Sequence, residues 1–341
     1  MKSLLPLFLA VCGVGCTALN HPSCRLPEGI WPLPPAHEKP YRPAPWGSGD
    51  QAFPYSVWTP KAPRPVQAVV ILIPGWDGTM TDYAVLAEHL AAHGYAVYGS
   101  EQRAGVYDPE AKRRGNPQHW HEWVRDLQEF TTFAARKHPG LPVFYHAHSF
   151  GTLVAAETAA EPVGTRRPDG IILQSMAMPL LIEKESALKG AIIGALACVR
   201  VPQLAIMESA NLGPTGDPVL NCQWMQSKDR LAEGYKVRYF LEAAKLGHRV
   251  WETSEKLTLP VLALEGEQDN VVAPKPADKW AYDQFLRYRL RGGRAEVIRY
   301  HGGYHTMTIV RTGNPALDRT TAKALHDITQ WLDRQTRGAV R

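Results

Sequence analysis

FYHAHSFGTLVAAETAA, residues 144–160, passes from an apolar, aromatic run into an alanine-rich one through His148, Ser149, Phe150 and Gly151. The first part has the composition of a strand and the second that of a helix, so Ser149 falls at the corner between them. A sharp strand-to-helix corner lifts a serine hydroxyl above the C-terminal edge of a sheet, provided the residues two before and two after it are small. Ala147 and Gly151 meet that requirement, although the first position more commonly carries glycine. The helix starting after Gly151 points its N-terminus at the same place, which favours a developing negative charge.

The flanking chain repeats the alternation. Strands are expected at 66–73, 95–99, 142–146, 171–174, 261–265 and 295–300, with helices at 82–93 and 118–138. The run VQAVVILI (66–73) is apolar on both faces, as in a parallel strand covered on both sides. Such alternation predicts right-handed crossovers and a mostly parallel sheet between two helical layers, an α/β architecture. Between Gln174 and Pro260 lie some eighty residues with no clear strand, read as a helical cap (176–256) with helices at 187–199 and 233–247. The core then comprises 56–175 and 257–336.

A serine is a weak nucleophile near neutral pH unless a base takes its proton and a third group orients that base. Two later strands end in polar loops: Gly266-Glu267-Gln268-Asp269 after 261–265, and His301-Gly302-Gly303-Tyr304-His305 after 295–300. Asp269 and His305 are therefore the expected acid and base, with Asp108 and Glu267 as alternative acids and His301 as alternative base. The glycine-rich turn Pro74-Gly75-Trp76-Asp77-Gly78 ends another strand at the same sheet edge. Its Trp76 N–H and the Phe150 N–H are the expected donors to an oxyanion.

PGWDGTMTDYAVLAEHLAAHGYAVYG, EQRAG, FYHAHSFG, LALEGEQDNVV and HGGYHTM together resemble the monoacylglycerol lipase and lysophospholipase group of α/β-hydrolases, also called the serine aminopeptidase type. The resemblance runs from about residue 66 to 310. It implies an α/β-hydrolase fold, Ser149 as nucleophile, Asp269 as acid, His305 as base, and Trp76 and Phe150 as oxyanion donors. Pro74 replaces a usual histidine, Glu101–Gly105 replaces an aspartate-led loop, and Ala147 replaces the elbow glycine. The implied activity is cleavage of lipid carboxylic esters. A small-ester esterase or peptidase would use the same residues, and a silent lipid-binding lipoprotein would share the scaffold.

Composition narrows the field further. Apolar residues make up 45% and charged residues 21%, the profile of a chain with a sizeable core. A net charge of +5 without a basic block gives nucleic-acid binding no support. Neither a metal nor an organic cofactor is expected. Lys2 and the apolar Leu4–Val14 stretch read as an export signal (1–16). Small residues before Cys16 resemble a bacterial lipobox, with Gly13 where leucine is usual. Cys16 is thus expected to be lipidated at the cell envelope, with plain secretion as the alternative. Residues 20–65 hold a dozen prolines, read as a tether or strap (17–55) whose tail at 52–59 is expected to add an edge strand. Cys198 and Cys222 are the favoured disulfide pair in an oxidising compartment.

Overall fold

A computed structural model describes residues 38–41, 53–61, 63–161, 166–177, 205–207, 215–217, 221, 234–272, 295–308 and 315–339. The expected export signal (1–16) with Cys16, the expected disulfide pair Cys198 and Cys222, and the expected helix at 187–199 lie outside the described residues.

Ten strands are seen among them: β1 (Glu38–Tyr41), β2 (Phe53–Trp58), β3 (Ala68–Ile73), β4 (Tyr95–Ser100), β5 (Val143–His148), β6 (Gly170–Gln174), β7 (Ala205–Met207), β8 (Tyr235–Lys236), β9 (Val261–Gly266) and β10 (Ala295–Tyr300). Eight form one sheet in the order β1-β2-β4-β3-β5-β6-β9-β10. Only β2 runs against its neighbours; β4, β3, β5, β6, β9 and β10 are parallel. The principal helices are α1 (Ala84–Ala92), α2 (His121–Lys137), α3 (Gly151–Ala160), α4 (Val237–Thr253) and α5 (Pro315–Ala339).

Burial explains this layering. All six residues of β3 are buried, because the strand lies between β4 and β5 with helices on both faces. One face carries α2, α3 and α4, with Trp123, Leu127, Phe150, Leu153 and Val250 in a single core cluster. The other carries α1 and α5, where Trp331 packs edge-on to Phe144 at 5.9 Å. Each large side chain removed from water in these layers contributes about 1.5–3 kcal/mol. Nine of ten α3 residues are buried, from Gly151 to Ala159, so this helix is central and carries little charge.

Two expectations are corrected. The 52–59 segment does form a strand, but it is not the sheet edge: β1, inside the proline-rich stretch, pairs antiparallel with it and takes that place. The interval read as strand-free contains β7 and β8, which pair antiparallel as a separate two-stranded sheet. Strands of two and three residues leave no periodicity for a sequence to display. Because β8 takes Tyr235 and Lys236, α4 begins at Val237 rather than at 233. That helix is fastened to α3: Arg249 Nε donates to Glu157 at 3.1 Å, Arg249 also pairs with Glu161, and Thr253 donates to Glu157 at 2.6 Å.

Candidate active site

Five parallel strands end at one edge of the sheet, and each delivers a residue of interest. Ser149 follows β5 and has φ +51, a left-handed conformation that L residues adopt at a cost of roughly 1–3 kcal/mol. Its N–H donates to the Gln174 carbonyl at 2.9 Å, which locks the corner against β6. Gly151 is there for space: a Cβ would lie 2.3 Å from the Pro74 carbonyl oxygen and 2.7 Å from that of Ile73. Ala147, paired with Ile73 and Leu173 and fully buried, has room for its methyl. The two small positions of the corner are thus unequal.

Asp269 and His305 meet across the β9 and β10 loops. His305 Nδ1–H donates to Asp269 Oδ2 at 2.9 Å, and both side chains are buried. The other carboxylate oxygen, Oδ1, accepts the N–H groups of Val271 (2.9 Å) and Val272 (3.0 Å). Burial pushes the Asp269 carboxyl up, but the facing His305 and these hydrogen bonds outweigh it and hold the group below its ordinary value. Nδ1 is committed to Asp269, so the basic lone pair of a neutral imidazole is on Nε2. Close approach of the loops depends on Gly266, where a Cβ would meet the Gly303 carbonyl at 2.4 Å.

The alternatives are placed elsewhere. Asp108 folds its own loop, accepting the Ala104 N–H at 2.8 Å and the Glu110 N–H at 2.9 Å. Glu267 and His301 pair with each other at 3.0 Å in solvent. On the turn after β3, neither the Trp76 N–H nor the Phe150 N–H is taken by a backbone acceptor among the described residues. The turn is braced by the Gly78 N–H on the Gly75 carbonyl (3.1 Å) and by Tyr235, whose hydroxyl donates to Asp77 at 2.9 Å. Trp76 packs edge-on to Tyr235 and Phe240, while Trp123 lies in the core between Phe150 and Tyr239 with its N–H on the Arg103 carbonyl.

Sequence reasoning missed two side chains. Tyr83 accepts the Gly75 N–H at 2.9 Å and is hydrogen-bonded to His148 Nδ1 at 3.0 Å. Ser175, after β6, donates to the His305 carbonyl at 2.9 Å. The polar pair Gln174-Ser175 closing an apolar strand was the available sign of the second. No group of three His, Cys, Asp or Glu suited to a metal is found among the described residues. His119 and His121 do touch, at 2.8 Å, but only as an exposed pair.

Comparison with known proteins agrees with this geometry. The family described as Serine aminopeptidase, S33, matches residues 64–309. Human monoglyceride lipase is 28% identical over 225 residues, covering 64% of this chain and 67% of the relative. The rat monoglyceride lipase is 27% identical, over 62% and 64% respectively, so the chain spans about two thirds of the length of these relatives. Among solved structures, a soluble variant of monoglyceride lipase from Saccharomyces cerevisiae in complex with a substrate analog superposes with a TM-score of 0.70 at 19% identity, over 92% of this chain and 99% of that one. A thermostable carboxyl esterase from Bacillus coagulans gives 0.68 at 15% identity, over 88% and 98%. With a family match over most of its length and a parallel sheet ending in this constellation, the chain belongs to the serine aminopeptidase S33 family and is an enzyme of the α/β-hydrolase fold.

Proposed function

We propose that this enzyme hydrolyses carboxylic esters of lipids, monoacylglycerols or lysophospholipids, through an acyl-enzyme on Ser149. The observation that carries the reading is the buried Asp269–His305 pair on the two loops beside the β5 corner that carries the strained Ser149. In this reading His305 Nε2 takes the proton of Ser149 as Oγ attacks the acyl carbonyl. Asp269 holds the imidazole in the tautomer that leaves Nε2 basic and stabilises the imidazolium that forms. The oxyanion receives the N–H groups of Trp76 and Phe150, with the N-terminus of α3 behind them. Collapse expels the alcohol, protonated by His305. Water, deprotonated by the same nitrogen, then attacks the acyl-enzyme and releases the fatty acid and free Ser149.

The lipid substrate class rests on the monoglyceride lipases among the relatives. Export and attachment to the cell envelope through a lipid on Cys16 belong to the same reading and rest on the N-terminal sequence. A fluorophosphonate probe is expected to label the protein stoichiometrically and to lose that label in Ser149→Ala. A panel running from 1-monooleoylglycerol and lysophosphatidylcholine through short-chain esters to aminoacyl amides gives the substrate class. Preference for the short esters or the amides would overturn the lipid assignment. Mass spectrometry of the mature N-terminus tests acylation of Cys16.

A further inference from the structure

Two donors from adjacent strands converge on one acceptor, the main-chain carbonyl of His305. Ser175 Oγ–H reaches it at 2.9 Å and His148 Nε2 at 3.0 Å. We propose that Ser175 and His148 form a clamp that positions the base loop, which makes Ser175 a positioning residue for the hydrolytic reaction; this rests on the reading of His305 as the base.

The direction of every hydrogen bond in the clamp follows from chemistry. A carbonyl only accepts, so His148 carries its proton on Nε2. Burial among other histidines keeps the imidazole neutral, so its Nδ1 accepts and the Tyr83 hydroxyl donates to it at 3.0 Å. The Tyr83 oxygen in turn accepts the Gly75 N–H at 2.9 Å. The result is one continuous chain from the turn that bears Trp76, through the β5 corner, to the loop that bears His305.

The clamp restrains what Asp269 does not. Asp269 orients the imidazole ring, whereas Ser175 and His148 occupy both lone pairs of the carbonyl and hold the backbone beneath it. Such restraint matters because β10 is the edge strand and His305 sits on the loop beyond it. Ser175 also has φ +50, where glycine would fit without strain, yet the position carries a buried hydroxyl. A strained residue whose side chain touches the site is a sign of function rather than of economy in folding.

Ser175→Gly separates positioning from structure, because it relieves backbone strain while deleting the donor. With 4-nitrophenyl butyrate as probe, its kcat is expected to fall about tenfold, the scale of one lost buried hydrogen bond, with KM within about twofold. The fluorophosphonate labelling rate should fall in parallel, and the thermal midpoint should hold or rise. Ser175→Ala keeps the strain and is expected to show the same kcat loss with a lower midpoint. An unchanged kcat in Ser175→Gly, or a loss matched by a loss of folded protein, overturns the clamp. Ser149→Ala tells the two readings apart. Label persisting in that variant overturns the triad itself, whereas label lost there with Ser175→Gly fully active removes only the clamp.

Discussion

The loop after β9 contributes two carboxylates, Glu267 and Asp269, and the loop after β10 two histidines, and these pair off in two ways. Asp269–His305 and Glu267–His301 have nearly the same hydrogen-bond length, 2.9 and 3.0 Å. Their surroundings are opposite: the His305 and Asp269 side chains are 5% and 3% exposed, those of His301 and Glu267 93% and 48%. In solvent, water competes for both partners and the pair gains little. In the buried pair the carboxylate also receives two backbone N–H groups, and the imidazole is held in one tautomer. The same acid–histidine pairing, displaced by two positions for the acids and four for the histidines, is shut away from water in one case and solvated in the other.

Exchanging the histidines gives the sharpest break in that comparison. His305→Ala is expected to lower kcat on the order of a millionfold, as removal of a triad base does in other serine hydrolases. His301→Ala should leave kcat within about twofold. The acids follow on a smaller scale: Asp269→Asn keeps the shape but loses the charge that selects the tautomer, for roughly 10⁴-fold in kcat. Glu267→Gln is expected to be silent. Steady-state ester hydrolysis on the four variants checks both pairs, and a strong effect at 301 or 267 would reverse the assignment.

Acid is expected to separate buried from exposed histidines through stability. His146 is fully buried beside the site, and desolvation lowers its pKa from 6.5 to about 4. His148 is also pushed far down, by burial first and then by His305. Between pH 6.5 and about 4 the unfolded chain binds protons that the folded chain refuses, so stability falls with pH in that window. For His146 alone the loss is about 3 kcal/mol at most. Asp269 adds a second window: its carboxyl is lower in the folded state, so its contribution is lost as pH falls below the ordinary carboxylate value of 3.8. Urea unfolding at pH 7 and pH 4.5 should show the drop. His146→Leu should make it smaller, leaving the part due to His148, and the exposed His301→Gln should leave it unchanged.

Much of this arrangement was legible in the sequence because it rests on runs and spacing. VQAVVILI announced a central strand, and FYHAHSFG followed by an alanine-rich helix announced the corner. Polar loops after apolar strands pointed to Asp269 and His305. The spacing could not weigh Asp269 against Glu267 by itself, since burial belongs to the assembled loops. Tyr83 was hidden for a similar reason: it sits in a helical turn 65 residues before the histidine that it meets. Gly151 and Ala147 looked equivalent as small residues, yet only the first faces the carbonyls of the neighbouring strand end. β1 went unread because proline-rich chain carries no alternation, and its partner strand supplies what order it has.

The smallest expected effect bears on the exposed pair alone. If Glu267–His301 is only a solvated contact, removing both charges in Glu267→Gln/His301→Gln should move the thermal midpoint by less than about 2 °C. Raising salt from about 0.1 to 1 M should reproduce that change in the parent, since exposed charges are screened over such distances. The Asp269–His305 pair, shielded by its own burial, should keep its activity over the same salt range. A double variant that melted far earlier would mean that the outer pair braces the two loops on which the inner pair depends. Equal lengths would then conceal a shared structural duty rather than a division between a buried working pair and an idle exposed one.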